Sequence, residues 1–175
     1  MKQEFIGSFL DSLEASGINF LAGLPDSWLR NLIEAIEKDS RFTYVPVCNE
    51  AVGFGICAGA WLGGKKPALI IENSGLRVAS EAIARLNFHA GGGGGGHGIG
   101  TLLLISYRGD IGDTEFWAMP HAITLEPFLK ALRIPYLIVR DPRELRQSMT
   151  RATRAAFRFM NPAALIISGS LTMED

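Results

Sequence analysis

Thr101-Leu102-Leu103-Leu104-Ile105 decides the reading of the fold. After its opening threonine the run is aliphatic at every position, with no alternation of apolar and polar residues. A strand with one wet face alternates, whereas a strand covered by helices on both sides does not. The run therefore predicts a central strand of a parallel sheet. Working outward, residues 68–71, 136–139 and 163–167 are similar short apolar runs, and residues 18–22 and 42–47 complete six strands. Helical spacing fills the intervals. Phe5, Ile6, Phe9, Leu10 and Leu13 line one face of a helix that Gly17 ends. Leu29, Leu32, Ile33 and Ile36 form a second stripe, capped by Asp26 or Ser27. Residues 50–62 form a small-residue helix, and Ser74 caps another that carries Val78, Ile83 and Leu86. Residues 123–132 read as a helix with Pro127 against its interior, which predicts a later start. Asp141-Pro142 opens a basic amphipathic helix that runs to residue 159. The expected fold is α/β: a doubly wound, mostly parallel six-stranded sheet with helices on both faces, as one domain over residues 1–175. Ligands of such sheets bind at the carboxyl ends of the strands.

Composition narrows the function classes. Hydrophobic residues make up 47% and charged residues 20% of the 175, which excludes a disordered chain. With 17 basic and 18 acidic residues the net charge is -1, so nothing draws the chain to nucleic acid or to an anionic membrane. No apolar run approaches the ~20 residues of a membrane helix. Met1-Lys2-Gln3-Glu4 leads into an amphipathic helix and not into a signal sequence. Cys48 and Cys57 fit a reduced chain, and the expected location is cytoplasmic. One segment does not fit the fold. Residues 91–96 are an unbroken glycine run between His89 and His97, read as a flexible insertion or linker and not as a phosphate loop or a metal pair.

The residues that could carry chemistry fall just after strands, and a parallel sheet gathers them on one edge. Glu50 opens a helix made almost wholly of small and apolar residues. It is either a helix-start carboxylate that favours the macrodipole, or a buried acid whose apolar surroundings raise its pKa for proton transfer. Gly53, Gly55 and Ala58 imitate a dinucleotide fingerprint, with Glu72 as the ribose acid, but residues 49–52 separate the first glycine from the strand. Gly53, Gly55 and Gly59 are better read as permitting close helix packing. Arg77, Arg108 and His121 are the cationic or protonatable candidates, suited to a carboxylate, phosphonate or sulfonate. Against this, Arg77 could lie on a solvated helix face, and His121 could be a helix-start histidine. Asp26 reads equally as an N-cap. Phe116 and Trp117 could cover the core or line a pocket. Arg140, Arg143, Arg146, Arg151, Arg154 and Arg158 read as a solvated helix face or a partner surface.

Asn49-Glu50-Ala51-Val52-Gly53, Gly59-Ala60 and the segment 67–75 together resemble the pyrimidine-binding domain of thiamine-diphosphate-dependent 2-oxoacid decarboxylases. Gly23-Leu24-Pro25-Asp26-Ser27, Glu72-Asn73-Ser74-Gly75-Leu76, Ile105-Ser106-Tyr107-Arg108-Gly109 and Pro120-His121 match in order. The likeness is to the alpha subunits of the sulfopyruvate and phosphonopyruvate decarboxylase family, and it spans the chain apart from the glycine run. It implies that Glu50 hydrogen-bonds N1′ of the aminopyrimidine and that Asp26 stands near the reacting carbon. It implies cofactor contacts at Gly23, Pro25 and Asn73, and a substrate tail held by Arg77, Arg108 and His121. The thiazolium would be the electron sink for loss of CO2. The family carries its Mg²⁺-diphosphate site on a second domain with a Gly-Asp-Gly motif, which this chain lacks. The resemblance therefore implies half an active site, inactive alone, with no metal ligand here and a beta-type subunit completing a hetero-oligomer. Two departures bear on the substrate. The family commonly has Gly where this chain has Arg77, and an acidic stretch where it has Phe116-Trp117-Ala118-Met119. A more apolar 2-oxoacid is the related alternative. A non-catalytic assembly domain and a dinucleotide-binding domain are alternatives of other classes.

Overall fold

Consecutive residues of one strand serve two separate cores. On β3 (Pro67–Glu72), Ala68 and Ile70 join one apolar cluster while Leu69 and Ile71 join the other. β4 (Leu102–Tyr107) divides in the same way, with Leu102 and Leu104 on one side and Leu103, Ile105 and Tyr107 on the other. Each strand is pleated with a period of two, so an unbroken aliphatic run is what double coverage requires. The structure, a computed structural model, describes residues 3–89 and 98–172, without the side chains of residues 88 and 89. The glycine run at 91–96, His97 and the side chain of His89 lie outside these residues.

The remaining strands are β1 (Phe20–Gly23), β2 (Thr43–Pro46), β5 (Tyr136–Val139) and β6 (Ala163–Ser168). They form one six-stranded sheet in the order β2-β1-β3-β4-β6-β5, and every pairing is parallel. The main helices are α1 (Gln3–Ala15), α2 (Arg30–Lys38), α3 (Glu50–Leu62), α4 (Asn73–Ala84), α5 (Met119–Ala131) and α6 (Leu145–Arg158), followed by the short α7 (Gly169–Thr172). The connections β1→β2 and β5→β6 move one way across the sheet, and their helices α2 and α6 pack with α1 on one face. The other three connections move the opposite way and place α3, α4 and α5 on the other face. A right-handed crossover rule produces this segregation. The chain leaves β1 in one direction and β3 in the other, so a crevice opens between the carboxyl ends of these neighbours.

The α/β, doubly wound expectation holds, and several local expectations are corrected. α5 starts at Met119, earlier than the proline at 127 suggested. Pro120 sits in its first turn, where no N–H partner is needed, and Pro127 lies on the exposed side, where water can satisfy the freed carbonyl. Ser74 is not a cap. It lies inside the first turn of α4 and donates to Glu72 Oε1 at 2.6 Å. Of the three glycines of α3, only Gly53 permits close packing: a Cβ there would stand 2.7 Å from Leu69 Cδ1, whereas Gly55 and Gly59 meet nothing within 4 Å. Gly53 and Gly55 also lie within α3 and not at the strand end, where a dinucleotide loop would need them. Among the described residues, no helix is long and apolar enough to cross a membrane.

Candidate functional site

Asn49 starts α3 in an extended conformation, and its Oδ1 accepts from Ala51 N at 2.9 Å and Val52 N at 3.3 Å. This N-cap fixes Glu50 as the first helical residue. Phe54, Cys57 and Ala58 bury the helix against the sheet, and Glu50 is carried in with them to 8% exposure. Its carboxylate lies on the first turn of α4. A Cβ at Gly75 would stand 2.6 Å from both Cγ and Oε1 of Glu50, so only glycine leaves room for the acid there. Among the described residues no side-chain hydrogen bond reaches this carboxylate. A buried acid at a helix N-terminus, with its lone pairs free, is equipped to hold a proton on a ligand nitrogen.

Asn73, the first residue of α4, is 1% exposed. Its Nδ2 donates to Arg108 O at 2.8 Å, while Oδ1 is buried without a partner. An orphaned acceptor at such depth costs about 1–3 kcal/mol, which a donor on a ligand would recover. Gly23 closes against the protein itself: a Cβ there would meet Tyr44 Oη at 2.9 Å and Ile70 Cβ at 3.0 Å. The Tyr44 hydroxyl is itself buried without a partner, and burial, with Glu37 as a lesser cause, pushes its pKa up to about 12. Pro25 is exposed at the rim.

Asp26 is 7% exposed but fully engaged. Oδ1 accepts from Trp28 N at 2.7 Å and Leu29 N at 2.9 Å, which caps the turn ahead of α2. Oδ2 accepts from Ser106 Oγ on β4 at 2.6 Å. The capping expectation for Asp26 therefore describes its hydrogen bonding, with a tie to Ser106 added.

Arg108 follows β4 and is 4% exposed. Its guanidinium lies over two indoles, 4.4 Å from the Trp28 ring centroid and 4.5 Å from that of Trp117. Nε donates to Asp113 Oδ2 at 3.1 Å. The same oxygen accepts from Gly109 N at 2.7 Å, and Oδ1 accepts from Glu115 N at 3.0 Å. Burial works against ionisation of Asp113, but the two backbone N–H groups and Arg108 outweigh it and hold its pKa below the usual carboxylate value. With Nε taken by Asp113, the guanidinium keeps its Nη1/Nη2 edge. No hydrogen bond from that edge forms among the described residues. Such an edge suits an oxyanion.

Arg77 on α4 reaches across to α5. Nη1 donates to Thr124 Oγ1 at 2.7 Å, and Nη2 lies 2.6 Å from His121 Nδ1. The His121 ring meets Trp117 edge-on, with centroids 6.2 Å apart. Arg77 is thus paired and not on a solvated face. Through Trp117, the three residues read from sequence as tail-binding form a single cluster. Phe116 is 86% exposed and covers no core, whereas Trp117 serves both Arg108 and His121. Arg140 is also corrected: it does not belong to a solvated helix face but donates to Asp110 Oδ2 at 2.6 Å, bracing the loop after β4 against the end of β6 through Ser168.

Sequence reasoning missed Trp28, Asp113 and Thr124. An arginine directly after a buried strand calls for a nearby acid, and Asp110 and Asp113 in the same loop were the available signal. Nothing local announced Trp28. Among the described residues no group of three or more His, Cys, Asp or Glu is placed to hold a metal ion.

No family model matches the chain. The sulfopyruvate decarboxylase subunit alpha of Methanocaldococcus jannaschii is 34% identical over 156 residues, covering 89% of this chain and 88% of that protein. The subunit alpha of the same name from Methanococcus maripaludis is 29% identical over 152 residues, covering 87% of each. Among solved structures, a 2-oxoglutarate:ferredoxin oxidoreductase from Magnetococcus marinus superposes with a TM-score of 0.73 at 14% identity. The match covers 97% of this chain and 29% of that longer one, a likeness of fold.

Proposed function

The chain belongs to the family of the sulfopyruvate decarboxylase alpha subunits, and from that premise we propose that it is the pyrimidine-binding half of a thiamine-diphosphate-dependent carboxy-lyase. Its reaction is the conversion of 3-sulfopyruvate to sulfoacetaldehyde and CO2. A beta-type subunit holds the diphosphate and Mg²⁺ and completes the site, so the chain alone is inactive.

The observation that carries this reading is Glu50, buried to 8% exposure against Gly75, with no hydrogen bond to its carboxylate among the described residues. A carboxylate so placed lacks a structural partner of its own, and the aminopyrimidine provides one. Asn73 Oδ1, buried and orphaned, offers an acceptor to a donor of the same ring. These residues fit the cofactor. When bound, thiamine diphosphate supplies an electron sink for the electrons of the breaking carbon–carbon bond.

The chain's own residues do the rest. Glu50 holds and returns a proton at N1′ of the pyrimidine, and its burial keeps water from competing for that proton. The Nη edge of Arg108 holds the anionic tail, and His121 stands beside it in the same cluster. Asp26, oriented by its turn and by Ser106, forms the wall near the reacting carbon. In the reaction the bond from the carboxylate carbon to the keto carbon breaks, CO2 leaves, and the former keto carbon gains a proton to give the aldehyde.

The test is CO2 release from sulfopyruvate by this chain mixed with the beta-type subunit of a related decarboxylase, with thiamine diphosphate and Mg²⁺. The expected result is activity only in the mixture, strongly lowered by Glu50→Gln. Full activity of Glu50→Gln overturns the reading. A faster reaction with phosphonopyruvate moves the substrate and leaves the cofactor chemistry standing.

A further inference from the structure

The contact between Arg77 Nη2 and His121 Nδ1 has only one chemically allowed sense. A guanidinium carries N–H donors and no lone pair to offer, so the ring nitrogen facing it must accept. In an imidazole whose Nδ1 accepts, Nε2 carries the hydrogen. At 2.6 Å the contact leaves no room for a hydrogen on both nitrogens.

The arrangement around the pair is built. Arg77 is tied to α5 a second time, through Thr124 Oγ1 at 2.7 Å, and that hydroxyl donates to Pro120 O at 2.7 Å. The guanidinium thus docks on the first turns of α5, the helix that carries His121. The imidazole also packs with the Trp117 ring in an edge arrangement, at an interplanar angle of 70°. The ring thus has two contacts, and the residue that sets its hydrogen comes from α4.

We infer that Arg77 is the positioning residue of His121: it sets the imidazole as the Nε2–H tautomer, so the ring presents a hydrogen-bond donor, and not a base, to the anionic tail of the substrate. The second half rests on the reading of this cluster as the tail site. The labour between the two arginines then differs. Arg108 keeps a free edge for an oxyanion, and Arg77 acts through the histidine. His121 then takes no proton from the substrate, and the proton role proposed for Glu50 is separate from it.

The first experiment needs neither partner nor substrate. Imidazole ¹⁵N–¹H correlation spectra of the full chain are recorded at alkaline pH, where histidine rings are neutral. The three histidines are assigned with His121→Gln. The expected spectrum shows the Nε2–H tautomer for His121 in the wild type and a mixture of tautomers in Arg77→Met. Arg77→Lys, which restores a donor, returns the ring to Nε2–H. Thermal melts of both variants establish that they fold. An Nδ1–H ring in the wild type overturns the inference, and so does an unchanged Nε2–H signature in a folded Arg77→Met. In the reconstituted enzyme, Arg77→Met raises the KM for sulfopyruvate roughly tenfold with kcat little changed, as lost uniform binding requires. A shifted tautomer with an unchanged KM overturns the tail-site role of His121, while the proton role of Glu50 stands or falls on Glu50→Gln.

Discussion

The turn after β1 and the start of α3 each bring a carboxylate to the same edge of the sheet, at 7% exposure for Asp26 and 8% for Glu50. Burial does not tell them apart, but hydrogen bonding does. Asp26 accepts from two backbone N–H groups and a serine hydroxyl, so its charge is compensated within the chain. Glu50 accepts from no side chain among the described residues and lies where a glycine was needed to admit it. The first acid holds the site together, and the second is left with capacity for a ligand. In a buried polar group, an unmet hydrogen bond is a better pointer to chemistry than burial itself.

The largest expected effect would separate the two acids outright. Glu50→Gln lowers decarboxylation in the reconstituted enzyme by about 10²–10⁴-fold, the range of a lost proton-transferring group. It leaves the denaturation midpoint of the chain unchanged, since no hydrogen bond is broken. A destabilised Glu50→Gln would break the contrast. Gly75→Ala comes next: its Cβ displaces the Glu50 carboxylate, and misplacement on the ångström scale costs roughly 10–100-fold in rate. Activity equal to wild type would show that the cradle is not what orients the acid. Asp26→Ala should act on stability instead. Losing the cap and stranding Ser106 costs about 2–4 kcal/mol by denaturant titration. A neutral result would mean the turn is held by its apolar neighbours alone.

The smallest effect concerns pH. Asp113 has a folded pKa below its unfolded value, so it stabilises the fold above the unfolded value of about 3.9, and this contribution is lost as pH falls through the folded value. The stability difference between wild type and Asp113→Asn is therefore constant near neutrality and shrinks below about pH 4. Denaturation series between neutral and acid pH check it, and a difference that grows on acidification would reverse the sign.

What was legible in the sequence followed range of interaction. The strands showed because double coverage writes itself as consecutive aliphatic residues, as in residues 102–105. Glu50 showed because a lone acid opens an apolar helix. The tie from Asp26 to Ser106 spans 80 positions, and that from Arg77 to Thr124 spans 47. No local pattern encodes either. The start of α5 was misjudged because Pro127 outweighed Pro120, although an exposed proline is tolerated where water satisfies the lost bond. Trp117 read as ambiguous because its role depends on two partners, Arg108 and His121, that reach it from other elements.

The indoles around Arg108 also make the site self-reporting. Of the three tryptophans, Trp28 and Trp117 face this one guanidinium, whereas Trp61 stacks on Phe157 with centroids 5.6 Å apart, at the far end of α3 from Glu50. Indole emission responds to the charge against its ring. An anion arriving at the open edge of Arg108 therefore alters two emitters at once and leaves the third as an internal reference. Occupancy of the tail site can be followed by intrinsic fluorescence before any bond is broken.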